Sequence, residues 1–179
     1  MSQERYDQLV NSKRGLIAGT MRDVLLPAIL GDETDGILYW IGKDLARQYP
    51  VASDADLVTI CAQLGMGDLK LVKKSDTQHI FQLSGPIVEE RLAIQKEQTS
   101  FTLEAGFIAQ QLEFRLQTVT EAEVSERRHK FVQILAQNDP TTLTDNEGSE
   151  MVKFIHIHQP GESQPVDQKT RKRARKAKH

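Results

Sequence analysis

The chain of 179 residues has one cysteine, one tryptophan and only 6% aromatic residues. A single thiol, Cys61, excludes an internal disulfide and every zinc motif built on paired thiolates, and it points to a reducing compartment. No run approaches the roughly 18 consecutive apolar residues of a membrane span. Arg5, Lys13 and Arg14 near the N-terminus precede no clean apolar signal core, so the expectation is a cytoplasmic protein. No internal repeat and no nucleophile–base pair stand out, so neither a catalytic residue nor a metal site nor a cofactor is expected. Gly65-Met66-Gly67 is too short for a phosphate loop and runs into a strand pattern, which makes it a helix stop.

What is present suits one domain with a tail: 39% hydrophobic and 27% charged residues. The net charge of −2 conceals a split. Residues 161–179 carry seven basic and two acidic residues, a surplus of +5 that leaves −7 on the first 160. Attraction to nucleic acid or anionic membrane is therefore expected only of the tail from Lys169 to Lys178, weakly and without sequence preference. That tail has no interleaved aromatics for base stacking, and a purely solubilising end is at least as good a reading.

The stretch from Phe101 to Gln117 predicts the central helix. Ala105, Ile108, Ala109, Leu112 and Leu116 recur at helical spacing, with Leu103, Phe107 and Phe114 as a second apolar line. So broad a face must be covered on more than one side, leaving Glu104, Gln111, Glu113 and Arg115 for water. Gly106 in its interior implies close approach of another backbone or a ligand.

Ahead of it, helical spacing runs to Leu30-Gly31 with Pro27 as a kink or a new first turn, and a second helix spans about 35–49 with the stripe Leu38, Ile41, Gly42, Leu45 and Tyr49. Gly42 and Gly106 then suggest that these two helices cross at their glycines. A third helix starts at Ser53 or Asp54, with Leu57, Ile60, Cys61 and Leu64 inward. Period-2 alternation marks a hairpin turning at Lys74–Thr77 and a second turning at Glu126–His129, with a helix from Pro86 between them. The fold class is α+β: a four-stranded antiparallel sheet of two hairpins packed against a layer of helices. The expected organisation is a flexible N-terminus over residues 1–14, one domain over 15–138, and a linker, a short strand or sticky segment at 151–158 and a disordered basic tail within 139–179.

At Tyr39-Trp40-Ile41-Gly42-Lys43-Asp44-Leu45-Ala46-Arg47-Gln48-Tyr49-Pro50, and again from Gln95 to Ala109, the chain resembles a small bacterial family of unassigned function typified by YslB. The order of parts also resembles the 4-vinyl-reductase-type domain and the TRAPP vesicle-tethering subunits. This resemblance implies an α+β, ligand-binding-like fold that often dimerises through its helical side, and it implies no activity. The 4-vinyl-reductase-type domains usually place cysteines around the last hairpin, where this chain has Ser125, Glu126 and His129. Some TRAPP subunits acylate a cysteine after the glycine-containing helix, where this chain has Val51-Ala52-Ser53. Neither property carries over.

The candidate ligand-binding or interface residues are Trp40, Gly42, Lys43, Arg47, Glu104, Gly106 and Phe107. Lys43 and Arg47 share a helix face, and Arg47 is expected to reach Glu104 as an ion pair at the crossing, a reading favoured over an anion site. Trp40 is either satellite core or contact surface. His156 and His158 have a metal-compatible spacing without a third ligand, and the pairs Glu121/Glu123 and Glu89/Glu90 read as solvated charge. The expected function is a non-catalytic ligand-binding or regulatory domain holding an apolar small molecule or acyl chain between helices and sheet. The alternative is a homodimeric interaction scaffold.

Overall fold

The computed structural model describes residues 7, 10, 11, 15–94, 99–144 and 152–158. The first helical rod, α1 (residues 16–30), comprises an α-helix at Leu16–Thr20, a π-helical turn at Met21–Leu25 and an α-helix at Leu26–Leu30 that Pro27 opens. Proline suits that place, since it has no N–H to donate and would disrupt a helix interior. A 3₁₀ turn at Gly31–Glu33 leads into α2 (Thr34–Gln48). Next come α3 (Asp54–Gln63), the hairpin β1 (Asp68–Lys74) and β2 (Gln78–Ser84), α4 (Pro86–Ile94), the central helix α5 (Thr102–Leu116), and the hairpin β3 (Thr118–Arg127) and β4 (Phe131–Leu143).

Local chemistry sets these boundaries. The Ser53 hydroxyl accepts the Asp56 N–H at 3.1 Å and so caps α3, while Gly65 at φ 67° lets the chain leave that helix. At the far end of α5, Gln117 takes the left-handed conformation and its N–H bonds the Glu113 carbonyl at 2.8 Å. The chain then turns directly into β3.

The four strands form one antiparallel sheet in the order β1-β2-β4-β3, so the hairpins join through β2 and β4, with Phe81 opposite Ile134. Alternation puts His79, Phe81, Leu83, Val132, Ile134 and Ala136 on the buried face. Bulges between Leu71 and Lys73 and between Val124 and Glu126 interrupt the outer ladders. The core lies between this face and α5, where Phe101, Phe107, Ile108 and Leu112 are buried.

Three expectations change. The central helix has no watery face at Glu104 or Gln111: every residue from Glu104 to Leu112 is buried. Gln111 acts as a substitute peptide group, its Nε2 donating to the Tyr49 carbonyl at 2.7 Å and its Oε1 accepting the Val51 N–H at 3.0 Å, on either side of Pro50. Strand β4 continues to Leu143, so the segment expected to begin a linker at 139 is still paired, Thr118 lying opposite Leu143. Residues 152–158 do not extend the sheet. They run as an extended strap, the Ile155 N–H bonding the Pro50 carbonyl at 2.9 Å and Ile155 and Ile157 packing on the core. The N-terminal residues expected to be flexible lie mostly outside the described residues, as does the basic tail.

Candidate functional site

The crossing of α2 and α5 is built on glycine. A Cβ on Gly42 would overlap the Leu103 carbonyl oxygen and stand 2.9 Å from the Phe107 nitrogen. One on Gly106 would overlap the Tyr39 carbonyl oxygen and stand 3.2 Å from the Tyr39 Cα. Backbone therefore rests on backbone at both glycines, as the sequence suggests.

Lys43, next to Gly42 in the chain, is buried against the sheet side rather than free for an anion. Its Nζ donates to Glu121 at 2.9 Å and to the Thr120 carbonyl at 3.3 Å, and lies 3.6 Å from Glu113. It also stands 5.5 Å from the Trp40 ring centroid and 5.7 Å from that of Tyr39. The Tyr39 hydroxyl bonds Glu121, and burial together with that carboxylate pushes its pKa up. Trp40 is exposed, and Phe107 is wholly buried core.

The expected Arg47–Glu104 pair is not formed. Arg47 is solvent-facing and pairs with Asp44 on its own helix. Glu104 is engaged elsewhere: one oxygen accepts Arg22 Nη2 at 2.9 Å and the other accepts Arg91 Nη1 at 3.0 Å. Arg91 also donates to Asp23 at 3.2 Å and to the Ser100 carbonyl at 2.6 Å, and it lies 4.4 Å above the Phe101 ring. Two guanidiniums thus face two carboxylates. Burial alone would raise the Glu104 pKa, but Arg22 and Arg91 outweigh it and hold the carboxyl below its usual range.

Against this quartet lies a cavity of about 510 Å³. Ala18 and Arg22 of α1, Leu45 of α2, Leu64 and Met66 after α3, Ile87 of α4, and Leu103 and Glu104 of α5 line it, with Gln63 and Gly65. No strand residue takes part, so the space lies among helices rather than between helices and sheet as expected. Of the sequence-derived candidates only Glu104 lies on its wall. Arg22 and Arg91 were missed. Their signal was weak: each is the one basic residue of its helix, Arg22 beside Asp23 and Arg91 beside Glu89 and Glu90, a pattern that solvated charge also gives.

Elsewhere polar groups stand without partners. Neither ring nitrogen of His79 is hydrogen-bonded among the described residues, although the residue is 2% exposed and stacks 6.4 Å from Phe81. Burial, then Lys74, lowers its pKa. Cys61 is buried, and burial followed by the charge of Glu104 raises its thiol pKa. His156 and His158 are exposed on the strap, and among the described residues no three His, Cys, Asp or Glu side chains converge for a metal.

A four-stranded antiparallel sheet packed against a layer of helices is the fold of the vinyl-4-reductase type. A vinyl-4-reductase family protein from Methanocaldococcus jannaschii superposes with a TM-score of 0.53 at 20% identity, over 69% of this chain and 80% of that one. The phenol-responsive sensory domain of the transcription activator PoxR, solved with phenol, superposes with a TM-score of 0.50 at 10% identity, over 77% of this chain and 92% of that one. Within this fold the chain belongs to the family of proteins of unknown function DUF2507, whose pattern matches residues 16–137. It is 37% identical over 114 residues to the uncharacterized protein YslB of Bacillus subtilis (strain 168), covering 63% of this chain and 76% of that protein. Among the described residues no helix is long and apolar enough to cross a membrane.

Proposed function

We propose that the protein is a non-catalytic ligand-binding or regulatory domain of the cytoplasm, and that its ligand is a small, uncharged, largely apolar molecule held under α1. The observation that carries this reading is the cavity itself. At about 510 Å³ it falls in the size range of small-molecule sites, and its walls are mostly apolar, with Arg22, Glu104 and Gln63 as the polar side chains. Two cations and two anions already balance there, so a charged ligand would find no uncompensated partner. A phenol-responsive sensory domain of the same fold supports the class of ligand without naming this one.

Native mass spectrometry of the full chain, purified without detergent, tests the proposal. The expected spectrum carries an additional mass of small-molecule size that disappears on denaturation and is absent from Leu103→Trp, whose ring fills the cavity. An unadorned mass from the wild type, under conditions that preserve known complexes, would contradict it. The alternative reading, a homodimeric scaffold, draws on the exposed apolar side of α1. For the basic tail we propose at most a weak, salt-sensitive hold on nucleic acid or anionic membrane.

A further inference from the structure

Two buried side chains, His79 and Arg115, carry nitrogens with nothing to bond. His79 of β2 is 2% exposed, and neither of its ring nitrogens has a hydrogen-bond partner among the described residues. Arg115, in the last turn of α5, donates from Nε to the Gln111 carbonyl and from Nη1 to Asp54, and its buried Nη2 has no acceptor among the described residues. The two belong to one neighbourhood. Residues directly opposite in a ladder share a face, and His79 stands opposite Lys74 of β1. The Lys74 Nζ lies 3.9 Å from one Asp54 oxygen, while Arg115 holds the other. A run of contacts thus leads from His79 through Lys74 and Asp54, at the start of α3, to Arg115. The residue opposite His79 on its other side is Ala136 of β4, whose methyl group fills little of the space beside the ring.

Buried polar groups in folded proteins are nearly all hydrogen-bonded, so two orphans in one neighbourhood call for a guest that bonds both. Charge says what that guest is. Lys74 and Arg115 stand against the single carboxylate of Asp54, whereas the Arg22–Glu104 group at the cavity is balanced. A bridging water would satisfy the bonds and leave the surplus positive charge, and a cation would add to it. An anion answers both. The donors also choose among anions. Arg115 has one free nitrogen, so it cannot offer the two-pronged grip that suits a flat carboxylate. It offers one bond, His79 a second and Lys74 a third, each from a different element, which suits an ion with oxygens in several directions.

We propose that Lys74, His79 and Arg115 bind a small tetrahedral oxyanion of the phosphate or sulfate class. Lys74 and Asp54 are exposed and give the ion its way in, while His79 and Arg115 form the floor. Binding takes up a proton. Burial and then the charge of Lys74, with a smaller push from Arg115 against the pull of Asp54, keep the ring of His79 neutral at pH 7. An anion set between Lys74 and Arg115 reverses that balance, so affinity rises as the pH falls. None of these residues lines the cavity, and the site stands apart from the ligand reading.

Sulfate is the probe, because its charge does not change across the range in which histidine titrates. The isotope-labelled full chain is titrated with sodium sulfate at constant ionic strength, and the ring nitrogens of His79, identified by their loss in His79→Leu, are followed by NMR. They are expected to shift saturably, with a Kd at least about 10-fold lower at pH 6 than at pH 8. Arg115→Gln and Lys74→Glu should each weaken binding about 10-fold or more. Lys74 is exposed, so that variant decides even if Arg115→Gln fails to fold. No shift at about 50 mM sulfate, a shift that never saturates and is unchanged in Lys74→Glu, a Kd equal at the two pH values, or acetate bound as tightly as sulfate would each overturn the proposal.

Discussion

The two contacts that hold the central helix do so by opposite means. Against α2, helix α5 offers Gly106 and receives Gly42, and the surfaces that meet are peptide backbone with no room for a methyl group. Against α1, the same helix offers Glu104, and the surfaces that meet are charged side chains beside open space. The first contact has no slack, because backbone cannot change rotamer and packed interiors do not deform continuously. The second is made of long side chains that can exchange a protein partner for water, at a cost, without moving α5. The comparison teaches a division of labour: α2, α5 and the sheet are a frame, and α1 is a cover whose attachment also forms the polar end of the cavity.

Breaking the charged contact should have the largest effect. Glu104→Leu takes from the buried Arg22 the carboxylate it bonds and leaves Arg91 only Asp23 and the Ser100 carbonyl, and denaturant unfolding should report a loss of about 3–5 kcal/mol. A loss under about 1 kcal/mol would mean that Arg22 and Arg91 reach water without Glu104, and that the cover is looser than described. On the frame side, Gly42→Ala and Gly106→Ala should each cost about 1–3 kcal/mol by overpacking. If both are neutral, the axes can separate, and the contrast between the two contacts fails.

Acid sharpens the comparison because each region carries one titrating marker. His79, on the sheet face of the frame, has a folded pKa below its ordinary value. Its unfolded form therefore binds a proton first, so stability is fully present above about pH 6.5 and falls as the pH drops below that toward the folded value. Glu104, at the cover, has a depressed carboxyl pKa, so its contribution is present above about pH 4.5 and is lost only as the pH falls through its lower folded value. Unfolding free energies measured from pH 8 to pH 3 should show these two declines in that order. His79→Leu, which removes two unbonded ring nitrogens from the interior, should abolish the first decline and be neutral or stabilising by about 1 kcal/mol at pH 7.

The smallest effect concerns Cys61 of α3, which is buried in the core with a raised thiol pKa. A thiol reagent should label it only at the rate of unfolding. Rapid stoichiometric labelling of native protein would show that α3 leaves the frame on its own.

The frame was legible in the sequence and the cover was not, for a physical reason. Periodicity reports which side of an element is buried, and two glycines at mid-face positions report a crossing, so α2, α5, both hairpins and their meeting at Gly42 and Gly106 could be read directly. Periodicity cannot say where a buried polar side chain finds its partner. Glu104 and Gln111 interrupt an apolar pattern and so read as a watery face, whereas Glu104 is neutralised by residues 82 and 13 positions away and Gln111 bonds backbone some 60 positions away. Arg47 read as the partner of Glu104 because it is charged and on the crossing helix, yet it lies on the outer face of α2 with Asp44. The cavity was anticipated from the broad apolar face of α5 but assigned to the sheet side, which Phe81, Leu83, Ile108 and Ile134 fill instead.

Amide hydrogen exchange on dilute native protein tests the division into frame and cover most directly. The predicted result is that amides of α1, residues 16–30, exchange by local opening at least about 100-fold faster than those of α5 between Ala105 and Leu112, which should exchange only on global unfolding. Equal protection of the two helices would contradict it, and would make α1 part of the frame.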